Sequence, residues 1–146
     1  MLSSFVAILL ILTVLPTLQG YFAQVSAGSF HSCGLREDET VVCWGFSRVS
    51  PVGQFVQIST GNMFACGILL DRSIKCWGRN DDEKSTPPAG KFQQVSCGKH
   101  HACAIDDKFK VHCWGSNRKK SLEVPNGKKF IQISASAGYH TCGVEA

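Results

Sequence analysis

An all-β architecture of repeated small antiparallel sheets is predicted by three observations. One motif recurs three times after residue 20 and begins a fourth time, always in the same internal order. Within each copy the apolar residues alternate with a period of two, the mark of half-buried strands. Each copy also sets two such segments either side of a short turn-prone stretch, which is hairpin spacing.

The first unit runs from Tyr21 to Gly53, with Phe22-Ala-Gln-Val-Ser-Ala-Gly28, Cys33-Gly-Leu35 and Val41-Val-Cys-Trp-Gly45. The second, Gln54 to Gly90, holds Phe55-Val-Gln-Ile-Ser-Thr-Gly61, Cys66-Gly-Ile68 and Ile74-Lys-Cys-Trp-Gly78. The third, Lys91 to Gly127, holds Phe92-Gln-Gln-Val-Ser-Cys-Gly98, Cys103-Ala-Ile105 and Val111-His-Cys-Trp-Gly115. A fourth, 128–146, starts with Phe130-Ile-Gln-Ile-Ser134, passes Gly138-Tyr-His-Thr-Cys142 and stops at Ala146. Ankyrin and tetratricopeptide repeats share this period but need apolar residues at helical spacing, which is absent. Turns centred on Asp38, Asp71 and Lys108 would place Cys33, Cys66 and Cys103 opposite Cys43, Cys76 and Cys113. Stretches at Pro51-Val-Gly53, Pro87-Pro-Ala-Gly90 and Pro125-Asn-Gly127 read as loops between units. Each unit becomes a sheet of the Phe…Ser strand and two hairpin strands, with a fourth expected after Trp-Gly.

The chain has 146 residues, 44% apolar and 18% charged, which fits one domain and excludes disorder. Fourteen Gly and the lack of Leu heptads exclude a long coiled coil. A net charge of +4 is too weak to name nucleic acid as partner. Residues 1–20 carry no charged side chain, and Phe5 to Leu15 is apolar except for Thr13. Pro16 and Thr17-Leu-Gln-Gly20 follow, the order of a signal-peptide core and cleavage region. Cleavage is expected after Gly20, an uncleaved anchor being the alternative, and no stable membrane span is expected afterwards. The mature chain would enter an oxidising compartment and be secreted. Asn62, Asn80, Asn117 and Asn126 all lack a hydroxyl residue two positions on, so N-glycosylation is not expected.

The combination of Phe-x-Gln-Val/Ile-Ser-x-Gly, Cys-Gly-Leu and Val-x-Cys-Trp-Gly resembles the repeat of the regulator-of-chromosome-condensation family. It looks most like the cysteine-rich branch of secreted bacterial proteins and crinkly-type plant receptor kinases. The resemblance covers residues 21–146 and implies a β-propeller, usually of seven blades. Three full units and half of a fourth make a partial β-propeller, read as a fragment of a longer propeller or a short open array, with an edge open to self-association.

The pairs Cys33/Cys43, Cys66/Cys76 and Cys103/Cys113 are expected to be disulfides within each blade, with buried thiols or zinc ligands as alternatives. His31-Ser-Cys33, His101-Ala-Cys103 and His140-Thr-Cys142 recur, but Phe64 replaces the His in the second unit and no Cys-x-x-Cys exists, so no metal is expected. Cys97 and Cys142 are left over. Cys142 is expected to be free and reactive, a Cys97–Cys142 bond being the alternative. Trp44, Trp77 and Trp114 are expected to pack between blades, with ligand stacking as the other reading; Phe22, Phe55, Phe92 and Phe130 read as core.

No Gly-x-Ser-x-Gly, phosphate loop or His-Glu-x-x-His is present, so neither an enzyme nor a cofactor is expected. Asp81-Asp82-Glu83 and Asp106-Asp107 read as solvated turn residues. Residues 91–146 carry nine Lys/Arg against four Asp/Glu, which reads as a solvated face or, alternatively, an anion-binding one. The expected function is a secreted module that binds another protein through loops on one propeller face. The alternatives are an enzyme-inhibitor propeller, a nucleotide-exchange or chromatin role, and a truncated product without independent function.

Overall fold

The structure is a computed structural model and describes residues 21–146; the expected signal segment and its cleavage after Gly20 lie outside the described residues. Four antiparallel sheets follow one another along the chain. Sheet 1 is β1 (Phe22–Ala27), β2 (His31–Arg36) and β3 (Val41–Gly45). Sheet 2 is β4 (Phe55–Thr60), β5 (Phe64–Leu69) and β6 (Ile74–Gly78). Sheet 3 is β7 (Phe92–Cys97), β8 (His101–Asp106) and β9 (Val111–Gly115). Sheet 4 is β10 (Phe130–Ala135) and β11 (Thr141–Glu145). β1, β4, β7 and β10 lie side by side, so the sheets stand as propeller blades around an axis.

Each β2–β3-type hairpin turns through three residues. Arg36 N donates to Thr40 O at 2.9 Å and Glu39 N to Arg36 O at 3.0 Å. The third loop residue is left-handed in every copy: Glu39 at φ 67°, Arg72 at 70° and Phe109 at 65°. Asp38 Oδ1 accepts the Thr40 amide at 3.0 Å and Asp71 Oδ1 the Ser73 amide at 2.9 Å. Leu35 faces Val41 and Cys33 faces Cys43, the register that an Asp38-centred turn predicts, and the next two sheets repeat it.

No sheet has the expected fourth strand; among the described residues the three complete sheets are three-stranded. Gly45, Gly78 and Gly115, at φ 106°, 96° and 101°, turn the chain back over the preceding loop instead. There Phe46 N donates to Phe30 O, Arg79 N to Met63 O and Ser116 N to His100 O. In the second and third units 3-10 turns follow at Asp81–Glu83 and Arg118–Lys120. Asn80 and Asn117 close them, their Oδ1 atoms accepting the Ser85 and Leu122 amides at 2.8 and 3.0 Å.

The core is three layers, one between each pair of neighbouring sheets. Cys33, Leu35, Val41 and Cys43 of sheet 1 meet Phe55, Ile58, Ala65 and Trp77 of sheet 2. Phe64, Cys66 and Ile68 of sheet 2 meet Phe92, Val95, Ala102 and Trp114 of sheet 3. Cys103 and Ile105 meet Ile133 of sheet 4. A β-bulge follows Phe22, Phe55, Phe92 and Phe130 alike. In sheets 1, 2 and 4 the ring then lies over the glycine of the neighbouring strand: a Cβ on Gly67 would sit 2.6 Å from the Phe55 ring. Ala104 takes that place in sheet 3, where Phe92 stands edge-on to His112 with centroids 5.7 Å apart.

The sheets are also joined by a set of side-chain bonds that the alternation of apolar residues does not reveal. Gln24 Nε2 donates to Ile58 O at 2.8 Å, while its Oε1 accepts Ile58 N at 2.8 Å. Gln57 does the same to Val95 and Gln94 to Ile133. Ser26, Ser59 and Ser96 Oγ accept the amides of Thr60, Cys97 and Ala135. A Gln amide carries one donor and one acceptor side by side, like a peptide group, so it pairs with the free edge of the next inner strand. At the end of the same strands Gly28, Gly61 and Gly98 press on the following unit. An added Cβ would lie 2.2 Å from Gly61 O, 2.4 Å from Gly98 O and 2.7 Å from Ser136 O, respectively. The fourth copy has Ser136 at this position, where among the described residues no further sheet approaches.

Candidate protein-binding face

The strand directions place the β1–β2, β4–β5, β7–β8 and β10–β11 connections on one face, together with the segments that follow each Trp-Gly. Over sheets 1 and 2 this face is apolar. Phe30 and Phe46 lie 6.5 Å apart by ring centroid, and Phe46 is 76% exposed. A groove runs beside them between Phe46, Arg48, Val49, Met63 and Arg79. The Arg79 guanidinium pairs with Asp81 and reaches Met63 Sδ at 3.7 Å. Over sheets 3 and 4 the face is basic. The His100 and Tyr139 rings stack at 5.8 Å, with Lys99 and the Arg118–Lys120 turn around them. Burial, with Lys84, Lys99 and Arg118 nearby, holds the His100 imidazole below its ordinary value.

Lys84 lies beneath this surface and is only 2% exposed. Its Nζ stands 5.4 Å from the Phe64 ring centroid and 3.5 Å from Asp81 Oδ2, and its carbonyl accepts Trp114 Nε1 at 2.9 Å. The loop 46–53 is four residues shorter than its counterparts and has no 3-10 turn, and Trp77 Nε1, below it, has no partner among the described residues.

The opposite face is made of the hairpin turns. Hydrogen bonds from the Thr40 and Ser73 hydroxyls and amides hold Asp38 and Asp71 below the usual carboxylate value. Asp106 is less solvated than a turn residue was expected to be. It accepts the Lys108 and Lys110 amides at 2.8 and 2.9 Å, and its Oδ2 lies 2.8 Å from His112 Nε2. Burial pushes its carboxyl up, but these bonds outweigh that effect and hold it low.

The structure brings all three expected cysteine pairs to bonding distance: Cys33–Cys43 at 2.06 Å, Cys66–Cys76 at 2.09 Å and Cys103–Cys113 at 2.11 Å. Their Cα atoms are 4.0–4.1 Å apart. Cys43 N–H points away from β2 to Ser50 Oγ at 3.0 Å, so this is a non-hydrogen-bonded site, where paired strands approach closest. Cys97 and Cys142 are both free, the first buried and the second exposed. Burial pushes the Cys97 thiol up to about 12. Trp77 and Trp114 lie between sheets, but Trp44 does not: it is 42% exposed and rests on Phe22 at 5.7 Å. Each of these Trp faces the preceding sheet, and no described residue forms one before sheet 1. Among the described residues no three His, Cys, Asp or Glu come close enough to hold a metal ion, and no helix is long and apolar enough to cross a membrane.

Four sheets standing side by side around an axis define a protein of β-propeller blades. A family model described as the regulator of chromosome condensation (RCC1) repeat matches residues 22–49 and 92–120. Two of its units thus match the RCC1 repeat, and the chain shares the blade architecture of RCC1-like propellers. It is similar to the ectodomain of the Physcomitrella patens receptor kinase CR4 at 27% identity and a TM-score of 0.76, covering 89% of this chain and 39% of that one. It is similar to the CRINKLY WD40 ectodomain of the Arabidopsis thaliana receptor kinase ACR4 at 32% identity and a TM-score of 0.71, covering 86% of this chain and 46% of that one. The chain thus spans less than half the length of either ectodomain. Prp20p of Saccharomyces cerevisiae, described with its binding to Gsp1p and histones, shares the fold at 15% identity and a TM-score of 0.71, over 86% of this chain and 44% of its own. No curated protein sequence matches the chain.

Proposed function

We propose that this chain is a protein-binding module that works outside the cell, presenting loops on a rigid frame of propeller blades. In this reading residues 1–20 direct export and are removed after Gly20, and units 21–53, 54–90, 91–127 and 128–146 each supply one blade. The observation that carries it is the cysteine pair set across the same hairpin position of three successive sheets. Such pairs persist as bridges in an oxidising compartment and would be reduced in the cytosol. The likeness to two receptor ectodomains at 27% and 32% identity supports the same compartment and a binding rather than a catalytic role. Rigid strands with connections that differ from unit to unit are the usual ground for recognition.

The test is expression of the full chain in a secreting cell, with mass and N-terminal sequencing of the product. Recovery from the medium beginning at Tyr21, with a mass gain of six hydrogen atoms when a thiol reductant opens the three bridges, is the expected result. Retention in the cytosol with reduced thiols would overturn the reading. Cross-linking of the secreted protein to its receiving cell surface should then capture a protein partner.

A further inference from the structure

The face built by the β1–β2-type connections is divided chemically, and the division describes its ligand. Phe30, Phe46 and Val49 are all more than half exposed, and Phe46, Val49 and Met63 line one groove over sheets 1 and 2, flanked by Arg48 and Arg79, with Phe30 beside Phe46. Lys99, Arg118 and Lys119 gather around the stacked His100 and Tyr139 over sheets 3 and 4, and among the described residues none of these three cations is paired with a carboxylate. Lys120 alone of this group has one, Glu123 at 3.6 Å. The acidic residues of this face are those of the turn Asp81–Glu83 after sheet 2, where Asp81 is already engaged by Arg79 and Lys84, and Glu123, which is engaged by Lys120.

We propose that this face holds an extended acidic segment of a partner protein, with one bulky apolar side chain seated among Phe46, Val49 and Met63 and carboxylates set over Lys99, Arg118 and Lys119. The inference rests on the protein-binding reading and adds the surface and the partner's chemistry. An apolar anchor in a pocket supplies most of the affinity of such contacts, and unpaired cations select acidic sequences and make binding sensitive to salt. Asp82 and Glu83, on the turn between the two regions, exclude carboxylates from the stretch that joins anchor and acids. A basic segment is disfavoured at sheets 3 and 4 by the same charges.

The probe is a phage-displayed library of random short peptides selected on the full oxidised chain. Enrichment of peptides that combine one aromatic or long aliphatic residue with two or more Asp or Glu is the expected result. A fluorescent synthetic copy of the leading peptide should lose at least tenfold in affinity on Phe46→Ser and on the pair Arg118→Glu/Lys119→Glu. Its binding should weaken as salt rises and should be unchanged by Lys108→Glu/Lys110→Glu on the opposite face. All these side chains are at the surface, and an unchanged thermal midpoint shows that each variant folds. Enrichment of neutral or basic peptides, no enrichment, or indifference to the Phe46 and Arg118/Lys119 changes would overturn the proposal. A cross-linked protein partner that still binds the Phe46→Ser and Arg118→Glu/Lys119→Glu variants would overturn this surface alone, whereas absence of any protein partner would overturn the wider reading.

Discussion

At the scale of single residues, the most constrained positions are the ones that touch the next unit. Gly61 is the clearest: a methyl group there would meet Gly98 O at 2.4 Å and the Phe64 ring at 2.4 Å. Gly61→Ala is expected to cost about 2 kcal/mol through overpacking, read as a lower urea midpoint at unchanged slope. Ser136→Ala, at the corresponding place in the fourth unit, should change the midpoint little. Gln57 is the second case. Gln57→Leu keeps the volume but strips both bonds from Val95, leaving its buried amide and carbonyl without partners. A loss of about 2–4 kcal/mol is expected, the sum of two unsatisfied buried groups. Sequence periodicity exposes the apolar half of this strand, because alternation reports which side is buried. It is silent about Gln24, Gln57 and Gln94, because a polar residue on an outward position reads as solvated until the neighbouring sheet is in place. Lys84 is hidden for the same reason, since nothing local marks a lysine that the next blade's Trp114 will cover.

At the scale of elements, the hairpins are the most legible part of the chain. Their register follows from turn length and the position of the cysteines, both local quantities. The segments after Trp-Gly are not legible: a turn-rich stretch reads alike whether it ends in a strand or in a 3-10 turn, and the left-handed Gly45, Gly78 and Gly115 decide the matter. The hairpin loops also carry a removable strain. Arg72 sits at φ 70°, a conformation that glycine adopts freely. Arg72→Gly is expected to raise stability by up to about 1 kcal/mol, seen as a higher thermal midpoint. Each cysteine pair spans ten positions of sequence. Cys66→Ala/Cys76→Ala should then cost up to about 3 kcal/mol by loop-closure entropy, measured by urea unfolding without reductant.

For the whole molecule, the repeat count and blade order are legible in the amino-acid pattern, whereas the binding face is not. Phe30, Met63, His100 and Tyr139 differ in every unit, so no motif singles them out, and only the shared strand directions bring them to one side. The same stacking creates a pH response. Burial lowers the pKa of His31 and His101, so folding favours their neutral forms. Stability from these groups is complete above the ordinary value of 6.5 and is lost as pH falls through their lower folded values. The thermal midpoint should fall between neutral and mildly acidic pH. His101→Phe, which installs the residue found at the matching position 64, should flatten that fall; an unchanged slope would show that His101 does not contribute. A second decline is expected below the ordinary carboxylate value of 3.8, as Asp38, Asp71 and Asp106 are protonated and release their turns.

The glutamine and serine bonds between inner strands all run one way, from each unit to its successor. Injury should therefore show up displaced along the chain. Truncating Gln57 ought to quicken amide exchange at Val95, some forty positions downstream, before it does so among its own hairpin partners. A spectroscopist mapping a defect by where protection is lost would need to look one unit earlier for its origin.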